Sequence, residues 1–181
     1  MRMDMTRSPS EKGRTYRLAL AGILLAAALI LSYVESLVPF FFGVPGMKLG
    51  LPNLAVVLLL SVDDKRTALV VNILRIVISG FLFGSLFGIL FSISGAVVSY
   101  IVMILIMRTG RFGIPGVSVA GGVSHNLAQL AVAALVVKTS GIVYYSPVLT
   151  FSGILTGIAI GTAASLMSGP LKQIYTRSKT E

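Results

Sequence analysis

Long apolar runs, separated by short turns rich in basic residues, glycine and proline, constrain this chain more than any single motif in it. Most of the runs are long enough to cross the ~30 Å hydrocarbon core of a bilayer, where unpaired backbone groups are so costly that only helices and closed barrels survive. Composition points the same way. The chain is 55% hydrophobic and 12% charged, with a mean hydropathy of +0.93, far outside the range of an ordinary soluble domain. The expected fold is an all-α integral membrane bundle. Cysteine is absent, which removes disulfides, iron–sulfur ligation and thiol catalysis, and one histidine cannot build a conventional zinc site. No bound cofactor is expected.

In chain order, residues 1–17 form a basic polar tail, residues 18–170 a six-helix transmembrane domain and residues 171–181 a second polar tail. The first span runs from Leu18 to Pro39 and carries two small-residue pairs, Gly22 with Ala26 and Ala28 with Ser32, each permitting close backbone approach. An apolar but helix-breaking connector, Phe40 to Gly46, leads to a second helix over Met47 to Val62, with Pro52 in its first turns. The third helix spans Thr67 to Phe83, and the fourth continues past Gly84 and Ser85 to Met107. The fifth covers Val117 to Lys138 and the sixth Pro147 to Gly169. In the sixth, Gly153, Gly157 and Gly161 recur at four-residue intervals, a smooth surface for a neighbouring helix or a partner.

Charge sets the orientation. With the N-terminus inside, the inner side collects twelve Lys and Arg residues, from Arg2 to Lys179, and the outer side has Lys48 and Lys138. Arg75 is the one basic residue within a span. That asymmetry predicts a multi-pass protein of the cell membrane with both termini cytoplasmic. It also accounts for the net charge of +9 without a nucleic-acid partner.

Polar residues inside the spans are costly in lipid and are functional candidates by default. The densest group is Gly121 to Gln129, where Ser124, His125, Asn126 and Gln129 lie within six positions. At helical spacing His125, Asn126 and Gln129 point toward one side, although such residues also serve as interhelical hydrogen-bond partners. Asn72, Arg75 and Ser79 form a stripe on the third helix. Asn53 and Lys48 open the second, and Glu35 closes the first. Counting depth at ~1.5 Å per residue brings these groups to comparable heights in the outer half, which predicts one pocket open to the outside. Arg75 keeps its charge, so it must meet Glu35, backbone carbonyls or an anionic ligand.

Three segments resemble a known family: Lys48-Leu49-Gly50-Leu51-Pro52-Asn53, the Asn72–Gly84 stretch containing Arg75 and Leu82-Phe83-Gly84, and Gly121-Gly122-Val123-Ser124-His125-Asn126-Leu127-Ala128-Gln129. Over about Arg17 to Lys172 the chain is similar to the bacterial Gx transporter family, also labelled heptaprenyl diphosphate synthase component I. That family is itself similar to the substrate-binding S components of energy-coupling factor (ECF) transporters. The resemblance implies an S-component-like bundle surrounded by membrane lipids, with an outer pocket for a small molecule. The first helix, through Gly22 and Ala26, would meet a transmembrane coupling subunit served by ATPases.

The family's two labels differ in class, and the residues discriminate between them. A prenyl diphosphate synthase needs clustered carboxylates to hold magnesium against diphosphate, and this chain offers Asp63-Asp64 followed by Lys65 and Arg66. No Walker-type phosphate loop is present either. The expected function is therefore a non-enzymatic ligand-binding subunit. Alternatives are a noncatalytic subunit linked to heptaprenyl diphosphate and quinone synthesis, or a membrane partner in flavin- or quinone-linked extracellular electron transfer. The ligand would be anionic, or isoprenoid-, quinone- or flavin-like.

The topology is open to a direct check. In intact cells, Gly141→Cys should react with an impermeant thiol reagent and Arg111→Cys should not; equal labelling rates would reject the orientation.

Overall fold

The computed structural model describes residues 9–37, 50–138 and 140–180, which are almost entirely helical. Its order is α1 (Pro9–Leu37), α2 (Asn53–Ser61), α3 (Lys65–Phe83), α4 (Leu86–Arg108), α5 (Ile114–Val137), a 3-10 turn at Ser140–Tyr145, and α6 (Ser146–Thr180). Five of these elements are long and apolar enough to cross a membrane, namely α1, α3, α4, α5 and the segment containing α6. The second expected span differs. Its helix begins at Asn53 after a turn at Leu51–Pro52, while Met47, Lys48 and the Phe40–Gly46 connector lie outside the described residues.

Boundaries follow local chemistry. Asp64 caps α3 by accepting the Thr67 amide at 3.1 Å, and Ser85 caps α4 through the Gly88 amide at 3.1 Å. Pro115 lies in the first turn of α5, where the missing N–H has no intrahelical role, so the helix starts ahead of the expected Val117. Lys138, in the left-handed conformation, ends it. Both terminal helices extend beyond the expected spans. Pro9 stands at the first position of α1, and α6 continues through Pro170 because Leu171 and Tyr175 anchor the extension in buried surroundings.

At the centre stands α2, whose residues Ala55 to Leu60 are all buried. A helix apolar on every face is stable only when neighbours enclose it completely, and here α1, α3, α5 and α6 do so. Val56, Leu59 and Leu60 pack with Val71 of α3, Met103 of α4 and Ile160 and Ala164 of α6 into one core. That core occupies the end of the bundle where α1 and α6 have their terminal, basic ends. Three ties close this end: Tyr100 donates to the Lys65 carbonyl at 2.7 Å, Lys65 pairs with Asp63 at 2.7 Å, and Tyr175 donates to the Asp64 carboxylate. Burial pushes the Asp64 carboxyl up, but hydrogen bonds from Tyr175 and Thr67 outweigh it and hold the group below the usual carboxylate range.

The glycines of α6 correct one expectation. Gly153, Gly157 and Gly161 are buried against α5 and are therefore not a docking face for another protein. A Cβ on Gly157 would stand 2.5 Å from Val119 Cα, one on Gly161 2.5 Å from Pro115 Cα, and one on Gly153 2.9 Å from the Gly122 carbonyl. The two backbones touch along this seam, the expected arrangement where helix association depends on packing rather than on exclusion of water. Gly22 and Ala26 behave differently. Both are exposed, and a Cβ at Gly22 would meet nothing within 4 Å.

Paired alanine substitutions separate the two glycine sets. Gly157→Ala should cost roughly 1–3 kcal/mol of stability through forced separation of α5 and α6, read as a lowered melting temperature in detergent. Gly22→Ala should leave that temperature unchanged, and equal shifts would overturn the seam.

Candidate functional site

The start of α2 lies deep in the bundle, and its polar groups find partners there. The Asn53, Leu54 and Ala55 amides donate to the carbonyls of Gly50, Leu51 and Pro52 at 2.9, 3.1 and 3.3 Å, a tight first turn. Gly50, with φ +76°, presents its own N–H to Glu35 Oε1 of α1. The left-handed conformation at Gly50 is the reason glycine stands there.

A layer of charge and amide surrounds that turn. Arg75 Nη2 donates to Asn72 Oδ1 at 2.7 Å and reaches Asn53 Oδ1 at 3.4 Å. Glu35 lines the same cavity as Arg75 and is close enough to act on its charge. At ~1.5 Å per residue, Asn53 stands about 12 Å from Ser61, Arg75 about 15 Å from Lys65 and His125 about 16 Å from Ile114. Arg75 and Asn53 are in contact and Asn53 and His125 line one cavity, so the three are neighbours along the bundle. Arg75 Nε is buried and has no hydrogen-bond acceptor among the described residues.

Two small cavities flank this layer. The first, about 20 Å³, is lined by Gly50, Asn53, Ser99, Ser118, His125, Asn126 and Thr156 together with glycines of α5 and α6. The second, about 30 Å³, lies among Ser32, Glu35, Ser36, Arg75, Ser79 and Ser92. Either has room for one or two ordered waters. The expected single cluster is thus divided: Arg75 and His125 line different cavities, and Asn53 stands between them. Ser32, Ser92, Ser99, Ser118 and Thr156 were not among the expected site residues, because a small hydroxyl residue in an apolar run serves close helix packing as readily as a site.

The expected row of α5 residues also splits. His125 and Gln129 both face α4, where a Cβ on Gly95 would stand 2.8 Å from His125 Cε1 and 2.9 Å from Gln129 Cγ. Asn126, one position round the helix, turns to α6 and donates to the Leu149 carbonyl at 2.9 Å. Ser124 spends its hydroxyl on its own helix, at the Ala120 and Gly121 carbonyls. Gln129 and Ser124 are therefore outside both cavities, while Asn72 acts on the site through Arg75. Lys48 lies outside the described residues.

The family model described as heptaprenyl diphosphate synthase component I matches residues 24–167, and the chain belongs to this family. No curated protein and no solved structure matches it.

The layer couples Arg75 to Glu35 in a measurable way. Arg75→Ala leaves a buried carboxylate without its counter-charge and should lower stability by roughly 3–5 kcal/mol. Adding Glu35→Gln should recover part of that loss in chemical denaturation in detergent, whereas strictly additive losses would show the two groups to be independent.

Proposed function

We propose that this member of the heptaprenyl diphosphate synthase component I family is a noncatalytic membrane subunit. In this reading it binds one small anionic or carbonyl-rich molecule in its central polar layer, as S components of energy-coupling factor importers bind theirs. The observation that carries the reading is the buried Arg75 guanidinium, whose Nε donor has no acceptor among the described residues and which lines a cavity. A buried cation kept for packing alone would be expected to have every donor matched, because an unmatched one costs about 1–3 kcal/mol. A ligand oxygen would complete the set.

The two cavities are too small for an organic ligand as they stand, and the 3.4 Å contact between Arg75 and Asn53 divides them. That length is at the limit of a hydrogen bond, so parting it costs little and joins the spaces on either side. His125, Asn126 and Thr156 then face the ligand from one side and Arg75 and Glu35 from the other. The twelve-to-two distribution of basic residues supports a cytoplasmic basic end and entry from the outside. Any driving force would come from a coupling subunit and its ATPases, and Gly22 and Ala26 on α1 are the small residues left exposed for such a partner.

The family's description favours a second reading, a noncatalytic subunit attached to heptaprenyl diphosphate synthesis. Catalysis by this chain itself is disfavoured on chemical grounds. Asp63 is engaged by Lys65, Asp64 accepts from Tyr175 and Thr67, and the pair is not organised to share magnesium with a diphosphate.

Small molecules retained by the full chain after mild extraction from native membranes distinguish the readings. A vitamin-like acid supports capture, a polyprenyl diphosphate supports the synthase link, and a quinone or flavin supports electron transfer. Arg75→Lys should retain the compound at least roughly tenfold less well at an unchanged melting temperature, since lysine keeps the charge but loses the planar donor fork. Equal retention, or none by the parent chain, would reject the central layer as a binding site.

A further inference from the structure

The largest of the described cavities is elsewhere. Between α1 and α3, at the basic end, lies a groove of about 550 Å³, a volume typical of ligand sites and far beyond either central cavity. Its walls are apolar, with Leu18, Gly22 and Leu25 on α1 and Val70, Val71 and Leu74 on α3. Leu18 and Val70 are well exposed, so the groove opens sideways toward the surrounding hydrocarbon. Three guanidinium groups, Arg14 and Arg17 of α1 and Arg66 of α3, stand at its basic end. Gly22 leaves open space on the α1 wall, since a Cβ there would meet nothing within 4 Å.

Charge decides what fits. Among the described residues Asp64 is the one acidic residue lining the groove, and its carboxylate is held by Tyr175 and Thr67 with Arg17 close enough to act on it. Arg17 offsets that charge, and Arg14 and Arg66 remain in excess. An excess of basic residues at this end satisfies the topology rule wherever on the rim they lie. Topology does not require that arginines from two helices, some fifty residues apart, converge over one apolar groove.

We infer that this groove is a binding site for one anionic phospholipid of the adjoining leaflet. The phosphate lies between Arg14 and Arg66, with Arg17 alongside, and an acyl chain runs past Gly22 between the two helices. Basic pockets between transmembrane helices recognise acidic headgroups in this way. A partner helix fits the groove less well, because the arginines close one end and favour an occupant that terminates there in an anion. Lipid is also the solvent here, so any partner using Gly22 must first displace it. The inference stands apart from the central layer, since the groove shares no lining residue with either cavity.

The experiment uses the full chain in nanodiscs of phosphatidylcholine doped with phosphatidylglycerol, with retained lipid counted by native mass spectrometry. One phosphatidylglycerol should be retained in preference to phosphatidylcholine. The pair Arg14→Gln and Arg66→Gln, which leaves Arg17 to Asp64 and Tyr175, should weaken retention roughly tenfold or more. Gly22→Leu fills the groove without touching a charge and should weaken it as well, so the inference stays testable if the arginine variant folds poorly. Equal retention of both lipids, or full retention by Gly22→Leu, would overturn it. Competition by inorganic phosphate would assign the arginines to free anions, and a protein co-purifying in place of the lipid would assign the groove to a partner helix; either result overturns the lipid site.

Discussion

Everything in this bundle accommodates a nine-residue helix with no face for lipid. Because α2 is apolar all round and enclosed by its neighbours, the amides of its first turn are met by the protein's own carbonyls. The tight turn from Gly50 to Asn53, the Glu35 carboxylate on the Gly50 amide and the Arg75–Asn72–Asn53 contacts all answer that one demand. Glu35 in turn requires a positive charge nearby, and Arg75 supplies it. The polar layer is therefore a structural consequence of where α2 begins.

The residues of the layer differ in how fully these structural obligations occupy them. Glu35 and Asn72 are largely committed to holding the turn and the guanidinium. Asn53 is placed between two cavities by a weak contact, and Arg75 Nε has no acceptor among the described residues.

The membrane class and five of the six expected spans were legible in the sequence, because hydropathy is a one-dimensional property. The second expected span was not, since hydropathy does not tell a helix enclosed by others from one that faces lipid. The neighbourhood of Asn53 was legible in part: Arg75 reaches it, and His125 lines a cavity with it. Azimuth was not. Three- and four-residue spacing placed His125, Asn126 and Gln129 on one side, yet the step of about 100° between adjacent helical positions sends Asn126 to α6 and His125 to α4. Likewise the four-residue glycine repeat of α6 announced close packing but not its partner, which is α5. The groove was beyond reach, since nothing local relates Arg14 to Arg66.

The two sides of the bundle differ in how firmly they are held, and this bears on where motion would occur. Along the α5–α6 seam, glycines bring backbone against backbone, so any displacement there meets steep repulsion. On the other side α1 leaves large apolar side chains such as Leu18, Ile23 and Ile30 exposed and has open space at Gly22. Helix α1 contributes Glu35 to the central layer at one end and Arg14 and Arg17 to the groove at the other. A rigid-body shift of α1 would alter the Glu35–Gly50 bond and the groove together. Occupancy of the groove by lipid or by a partner would then bias the polar layer through a single stiff helix, without any contiguous chain of side chains between them.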